Sequence, residues 1–428
     1  MKILIEKLVF GGQGLGRLPD GRVIFVWNAL PGEEVEVQIL KSKKGHVEGV
    51  ATQIYTASPD RVKPLDPHFL STGPWEVLAW EKENEWKQAI AKETYTKIGN
   101  LLVENQIPIV SDPETQYGYR NKMEFSFAEL PDGTTSLAFF ERGQKNRTPA
   151  TGSALANPVI NQTAQVVLSW INKEKIPTRS LKSLIVRSTQ HGVHGPQTIA
   201  ALFVKDTLEF DSYPPLETPL SGFHLFYSTH KSPASVPTEL LYSAGDAYLT
   251  ETVLDTPLRF GLLGFFQVNV SVFEKAVAEI SRFVDPQTPL VDFYSGVGAI
   301  SLPLSKNRVH ATLVDNNQEA IELAEQNIKN NNLSSCRATC LPAEQMTEVI
   351  TRDSLITLDP PRAGLHQKVT QALLQKTPPR IVYLSCDIAT QARDMRLLSE
   401  QYTVTHLSLY NFFPRTPHIE GLAVLDRI

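Results

Sequence analysis

The sequence predicts an α/β protein: a carboxyl-terminal doubly wound domain, an amino-terminal small β-barrel, and a central α+β insert between them. Three observations carry this. From residue 259 onward, strand-like apolar runs alternate with helical periodicity, the pattern of βαβ units. Residues 1–58 hold only short strand-like segments separated by turn signals. Residues 59–258 mix one helical stretch with several short strands, in a 428-residue chain too long for one hydrophobic core. The expected division is 1–58, 59–258 and 259–428.

Composition narrows the class. With 42% apolar and 20% charged residues the chain reads as ordinary soluble protein. A formal net charge of −5 excludes a generally basic, nucleic-acid-coating protein but leaves room for a local basic face. The cysteines are Cys336, Cys340 and Cys386. An odd, sparse count gives no disulfide framework and fits a reducing, cytoplasmic compartment. The start, MKILIEKLVF, meets charge at Glu6 and Lys7 before a signal-length apolar core develops. No apolar run reaches roughly 18 residues, so no membrane partner is expected.

In the amino-terminal segment, Leu8-Val9-Phe10 precedes GGQGLG at Gly11–Gly16. Asp20-Gly21 turns the chain before Val23-Ile24-Phe25-Val26, and Pro31-Gly32 before the alternating run Val35–Leu40. The glycine cluster lacks the lysine and hydroxyl residue of a phosphate loop, and no helix follows it. Lys41, Lys43, Lys44 and His46 gather on one hairpin, either a patch for nucleic-acid backbone or a solvated tip. The segment resembles a TRAM domain, an RNA-binding, OB-like barrel, through VFGGQG (9–14) and ALPGE (29–33).

In the middle, Pro59, Pro64, Pro67 and Pro74 mark a linker. Residues 80–105 predict a helix with Trp86, Ile90, Tyr95, Ile98 and Leu102 inward. YGYRNKMEFSF (117–127) reads as a strand carrying Arg120, Asn121 and Lys122, and short strands follow near 184–186, 199–204 and 223–227. Arg142, Lys145 and Arg147 are read as surface charge or as phosphate contacts.

The carboxyl-terminal pattern opens with an amphipathic helix over 271–284, with Phe273, Val277, Ile280 and Phe283 or Val284 on one face. A strand at 290–295 runs into Gly296-Val297-Gly298, with a helix expected from Ala299. A second strand, 310–314, ends in Asp315, where an acid accepts from ribose hydroxyls in nucleotide-binding sheets or is simply solvated. The helix 316–331 turns Ala320, Ile321, Ala324 and Ile328 inward. The glycine loop lacks the third glycine of a dinucleotide fingerprint, which favours an adenosyl ligand without pyrophosphate, S-adenosylmethionine. Strand 355–358 ends in Asp359-Pro360-Pro361, where two prolines fix the loop over the crevice. The next strand breaks at Ser385-Cys386-Asp387, presenting a thiol at its carboxyl end: a nucleophile or a small buried hydrophobe. Strands at 403–410 and 421–428 flank a loop that brings Glu420 back, as a base or as a solvated carboxylate. Two thiols at Cys336 and Cys340 with no nearby histidine read as structural, so no metal site is expected.

FFQVN (265–269), DFYSGVGAISLPL (292–304), LDPPRAGL (358–365), YLSCDIATQARD (383–394) and FPRTPHIEGLAVL (413–425) together resemble the RNA (uracil-5-)-methyltransferases. The match is ordered and covers the carboxyl half. It implies an S-adenosylmethionine-dependent methyltransferase domain in which Gln267, Tyr294, Asp315 and Asp359 contact the cofactor, Cys386 is the nucleophile and Glu420 the base. It also implies methylation of uridine carbon 5 through a covalent cysteine adduct at carbon 6, since that carbon is too weak a nucleophile unaided. The barrel and the length resemble the 23S rRNA enzymes more than the shorter tRNA enzymes. RNA, 23S rRNA first and tRNA second, is therefore the expected partner of a monomer. RNA cytosine-5 methyltransferases place a cysteine after paired prolines, where this chain has Arg362. A non-catalytic RNA-binding assembly factor on the same fold is the rival outside enzymes.

Two departures from the family stand out. Many relatives carry an iron–sulfur cluster on four cysteines, three of them in a stretch like 66–75, where this chain has Asp66, Thr72 and Trp75; no cluster is expected. Asp387 stands where asparagine is usual. A carboxylate there disfavours the neighbouring thiolate unless it points away.

Overall fold

The structure, a computed structural model, describes residues 2–43, 45–144, 146–192 and 195–428. Lys44 and Lys145, named above among candidate surface cations, lie outside the described residues. Among those described, no helix is long and apolar enough to cross a membrane.

Strands Lys2–Leu8, Gly14–Arg17, Val23–Trp27, Glu34–Ser42 and His46–Thr56 close into a barrel. Alternation explains its interior: Ile3 and Ile5, Ile24 and Val26, Val35 and Val37, Val47 and Ala51 all point inward. The barrel matches the expectation for this segment.

The prolines after the barrel do not mark a loose linker. Trp75, Glu76, Val77 and Leu78 are all buried, and the Trp75 indole donates to Gly12 O at 2.9 Å. The helix that follows is shorter than expected, Trp80–Lys97 rather than 80–105. Gly99 and a left-handed Asn100 (φ +52) turn the chain away, and Ile98 and Leu102, expected inward, are exposed. The face it buries includes the charged Glu83 and Lys87 beside Ile90, Ala91 and Tyr95. That face packs on helix Ile388–Leu398, and strand Ile109–Val110 extends the carboxyl-terminal sheet.

The central sheet has seven strands, in the order Glu239–Gly245, Leu220–Tyr227, Thr198–Val204, Leu181–Ser188, Lys122–Glu129, Thr135–Phe140, Arg147–Ala150. Helix Pro158–Lys173 covers it, started by Pro158 at its first turn and by the Asn157 side chain accepting from Val159 N.

The carboxyl-terminal sheet runs Cys336–Cys340, Ala311–Asp315, Leu290–Phe293, Leu355–Leu358, Arg380–Ser385, Glu420–Arg427, Tyr402–Tyr410, Ile109–Val110. The first five strands are parallel, and Glu420–Arg427 lies antiparallel between its neighbours. Strand Leu290–Phe293 is the switch point. Its successors pair on one side and the Leu355 strand on the other, opening a crevice at its carboxyl end. One expected element is absent: residues 296–304 form a run of turns, not a helix. Gly296 and Gly298 sit at φ +55 and +88, and Pro303 has no N–H to give.

Candidate active site

After Phe293 the chain reverses through Tyr294, held at φ +62, a conformation that costs a non-glycine residue about 1 kcal/mol. The turn is pinned to the neighbouring strand: Gly296 N–H donates to Asp315 Oδ2 at 2.9 Å, and Asn317 N–H to Oδ1 at 2.8 Å. Gln267 comes from the segment ahead of helix Val270–Ser281. Its carbonyl accepts from Asn121 Nδ2 at 2.9 Å, and its Nε2 lies 3.4 Å from Asp359 Oδ2. Gln267, Tyr294, Asp315, Asp359, Cys386 and Glu420, drawn from six points along the chain, line one cavity of about 450 Å³.

The cavity lining combines two chemically distinct groups of residues. Asp315 with Asn316 and Asn317 forms one; Cys386, Glu420, Arg362, Phe413 and His418 form the other, with Asp359 lining the same space. Asp359 and Glu420 are held away from their ionised forms. Burial, and behind it Asp292, pushes Asp359 up to about 7. Burial, reinforced by Asp359, raises the Glu420 carboxyl well above the usual range, with Arg362 opposing. Burial pushes the Cys386 thiol up to about 12. Glu420 and Asp359 add to that, and Arg362 again favours the anion. Burial thus favours the protonated thiol and the protonated Glu420 carboxyl, and a neighbouring cation would favour the ionised carboxylates.

Helix Ile388–Leu398 ties the strand ends together. Gln391 Nε2 donates to Tyr383 O at 2.8 Å and Gly421 O at 3.0 Å, joining the Cys386 strand to the Glu420 strand. Tyr95 Oη donates to Gln391 Oε1 at 2.6 Å. Asp394 Oδ2 accepts from Tyr383 Oη at 2.9 Å and Leu365 N at 2.8 Å, adding the Asp359-Pro360-Pro361 loop. The returning loop is anchored from helix Trp80–Lys97. Glu83 accepts the Arg415 N–H at 3.0 Å, and Lys87 Nζ donates to Asn411 Oδ1 at 2.6 Å.

Asp387 does not face the thiol as a free charge. Its Oδ1 accepts from Ala389 N at 3.0 Å and Thr390 N at 2.9 Å, so it is the N-cap of helix Ile388–Leu398. The residues at 66–75 have structural partners: Asp66 Oδ2 accepts from Ala154 N at 2.8 Å, and Thr72 Oγ1 lies 3.2 Å from His68 Nδ1. Among the described residues, no three or more of His, Cys, Asp or Glu gather as a metal-binding group.

Several lining residues were not singled out from sequence. Arg362, Phe413 and His418 sit inside motifs that were quoted, and Phe265 beside Gln267. The sequence signal for Gln391 and Asp394 was polarity on the inward helix face set by Ile388, Ala392 and Met395.

Residues 258–428 match the family model for tRNA (Uracil-5-)-methyltransferase, and residues 1–52 the TRAM domain. An uncharacterized RNA methyltransferase of Aquifex aeolicus is 29% identical, over 100% of this chain and 98% of its own. One from Nitratidesulfovibrio vulgaris is 26% identical, over 100% and 96%. Among solved structures, the Pyrococcus abyssi tRNA (uracil-54, C5)-methyltransferase in complex with S-adenosyl-L-homocysteine superposes with a TM-score of 0.80. It is 24% identical and covers 99% of this chain and 100% of that one.

Proposed function

We propose that this chain, a member of the RNA (uracil-5-)-methyltransferase family with a TRAM domain at its amino terminus, methylates carbon 5 of a uridine in RNA, in the cytoplasm. The observation that carries the reading is the meeting of Cys386, Glu420, Asp359 and Asp315 in one cavity.

The residues present fit S-adenosylmethionine. A space lined by Asp315, Asp359 and Glu420 suits a cationic ligand, and the Gly296 α-carbon faces open space where a side chain would intrude. Gln267, Tyr294, Asp315 and Asp359 would hold it. When bound, it supplies an electrophilic methyl group on a sulfonium centre. Asp359, near 7, and Glu420 would then ionise beside that charge.

Cys386 gives its thiol proton to solvent and Sγ adds to carbon 6 of the uracil, breaking the 5,6 double bond and placing enolate character on carbon 5. Arg362 is the charge that favours the thiolate at this step. Carbon 5 would take the methyl group from bound S-adenosylmethionine, the carbon–sulfur bond breaking with its electron pair kept on sulfur. Glu420 removes the hydrogen from carbon 5, and that electron pair re-forms the double bond while expelling Cys386.

The resemblance of barrel and chain length to the 23S rRNA enzymes suggests 23S rRNA as substrate, although a tRNA enzyme of matching length shares both. The full-length likeness to the Pyrococcus abyssi tRNA (uracil-54, C5)-methyltransferase favours tRNA as the second reading. Incubation with S-adenosylmethionine and 5-fluorouridine-containing 23S rRNA or tRNA separates the readings. Fluorine cannot leave as a proton, so the RNA that is the substrate traps a covalent adduct, and Cys386→Ala abolishes it. Absence of an adduct with both RNAs sinks the proposal.

A further inference from the structure

Three guanidinium groups from separate parts of the chain bear on His418: Arg362 lines the cavity with it, Arg120 stands against the cavity residue Phe413, and Arg142 acts through its charge. Arg362, from the Asp359-Pro360-Pro361 loop, is exposed and lines the cavity directly. Arg120 stands with its guanidinium carbon 6.0 Å from the Phe413 ring centroid, and its Nε donates to Tyr119 Oη at 3.3 Å. Arg142 lies 4.2 Å above the Trp27 ring of the barrel, and its Nε donates to Leu70 O at 2.6 Å. All three bear on one imidazole. After burial, the positive charges of Arg362, Lys87, Arg120 and Arg142 are what push His418 down to about 4, so it stays neutral. Lys87 is fully buried and paired with Glu83 at 2.9 Å. The other three make no salt bridge with a carboxylate among the described residues.

Their anchoring is one-sided. Arg120 and Arg142 are fixed through Nε and an aromatic face, which leaves the terminal nitrogens of both, and the whole fork of Arg362, without an acceptor among the described residues. A planar fork held this way is preorganised for a two-oxygen anion.

We propose that Arg120, Arg142 and Arg362 form a phosphate clamp that grips the RNA backbone beside the target uridine and directs its base past His418 into the cavity. This rests on the RNA-methyltransferase reading of the cavity. Extruding a base from its stack costs about a few kcal/mol. Charge-assisted phosphate contacts at the same nucleotide offset that cost where it arises.

The test uses the full-length protein and a fluorescently labelled RNA stem-loop, with affinity measured across a KCl series. Arg120→Ala, Arg142→Ala and Arg362→Ala should each weaken binding about tenfold and lower the salt slope by roughly one contact. Arg396→Ala, an exposed residue of helix Ile388–Leu398, removes the same charge and should leave the slope unchanged. Arg142→Lys guards against misfolding: it should recover the slope but not the full affinity. Calorimetry with S-adenosylmethionine alone should give wild-type affinity for the Arg120 and Arg142 variants. A slope unchanged in all three alanine variants, or lowered equally by Arg396→Ala, overturns the clamp. The 5-fluorouridine adduct is scored separately, so loss of the clamp and loss of the catalytic reading give different results.

Discussion

Asp387 follows Cys386, the proposed nucleophile, and its carboxyl is already hydrogen-bonded. Two backbone N–H groups at the start of helix Ile388–Leu398 hold its carboxylate, and among the charges bearing on Cys386 it stands behind Glu420, Asp359 and Arg362. Aspartate and asparagine are near-equal N-caps, so either residue serves this backbone position. From sequence alone the substitution reads as electrostatic, because nothing in the string shows which way a side chain turns. Asp387→Asn is expected to retain the wild-type rate of adduct formation. Asp387→Ala should lose about 1 kcal/mol of stability by denaturant titration, from the missing cap. An Asp387→Asn enzyme about tenfold faster would show that the charge does reach the thiol.

At the scale of the element, helix Trp80–Lys97 shows what periodicity reads and what it misses. Trp86, Ile90 and Tyr95 were legible as an apolar stripe, and Ile90 and Tyr95 are buried. The inward positions of Glu83 and Lys87 were not, since charged residues count toward the solvent face in any hydropathy pattern. They are buried because each has work on the returning loop: Glu83 with the Arg415 N–H and Asn411 Nδ2, Lys87 with Asn411 and the Phe413 carbonyl at 3.3 Å. Breaking such a pair strands the remaining charge. Lys87→Met should therefore lower stability by about 3–5 kcal/mol, whereas Glu83→Gln/Lys87→Met together should cost less. Both should slow single-turnover methylation, because the loop they hold carries Phe413 and His418 and leads into Glu420 at the start of the next strand. A Lys87→Met protein with the wild-type denaturation midpoint would sink this account.

At the scale of the whole molecule, the barrel and the parallel sheet were legible as separate patterns. Their order and the cavity at the switch point followed from strand ends and the five quoted motifs. How the barrel meets the sheet was not legible, because docking depends on single contacts far apart in the chain. GGQGLG proves to be a docking turn. Gly11 and Gly12 both sit at φ +93, but only Gly12 faces the Glu420 loop, where an added Cβ would overlap the Pro417 ring. The same residue accepts the Trp75 indole N–H. The pair supplies its own control. Gly11→Ala incurs the left-handed backbone strain alone, about 1 kcal/mol. Gly12→Ala incurs the same strain and must also displace Pro417, three residues from Glu420. Both variants should lose stability, but only Gly12→Ala should lower the single-turnover methylation rate, with S-adenosylmethionine affinity retained. Equal rates in the two variants would mean that the barrel docks without bearing on the loop, and that the cavity is set by the sheet and helix Ile388–Leu398 alone.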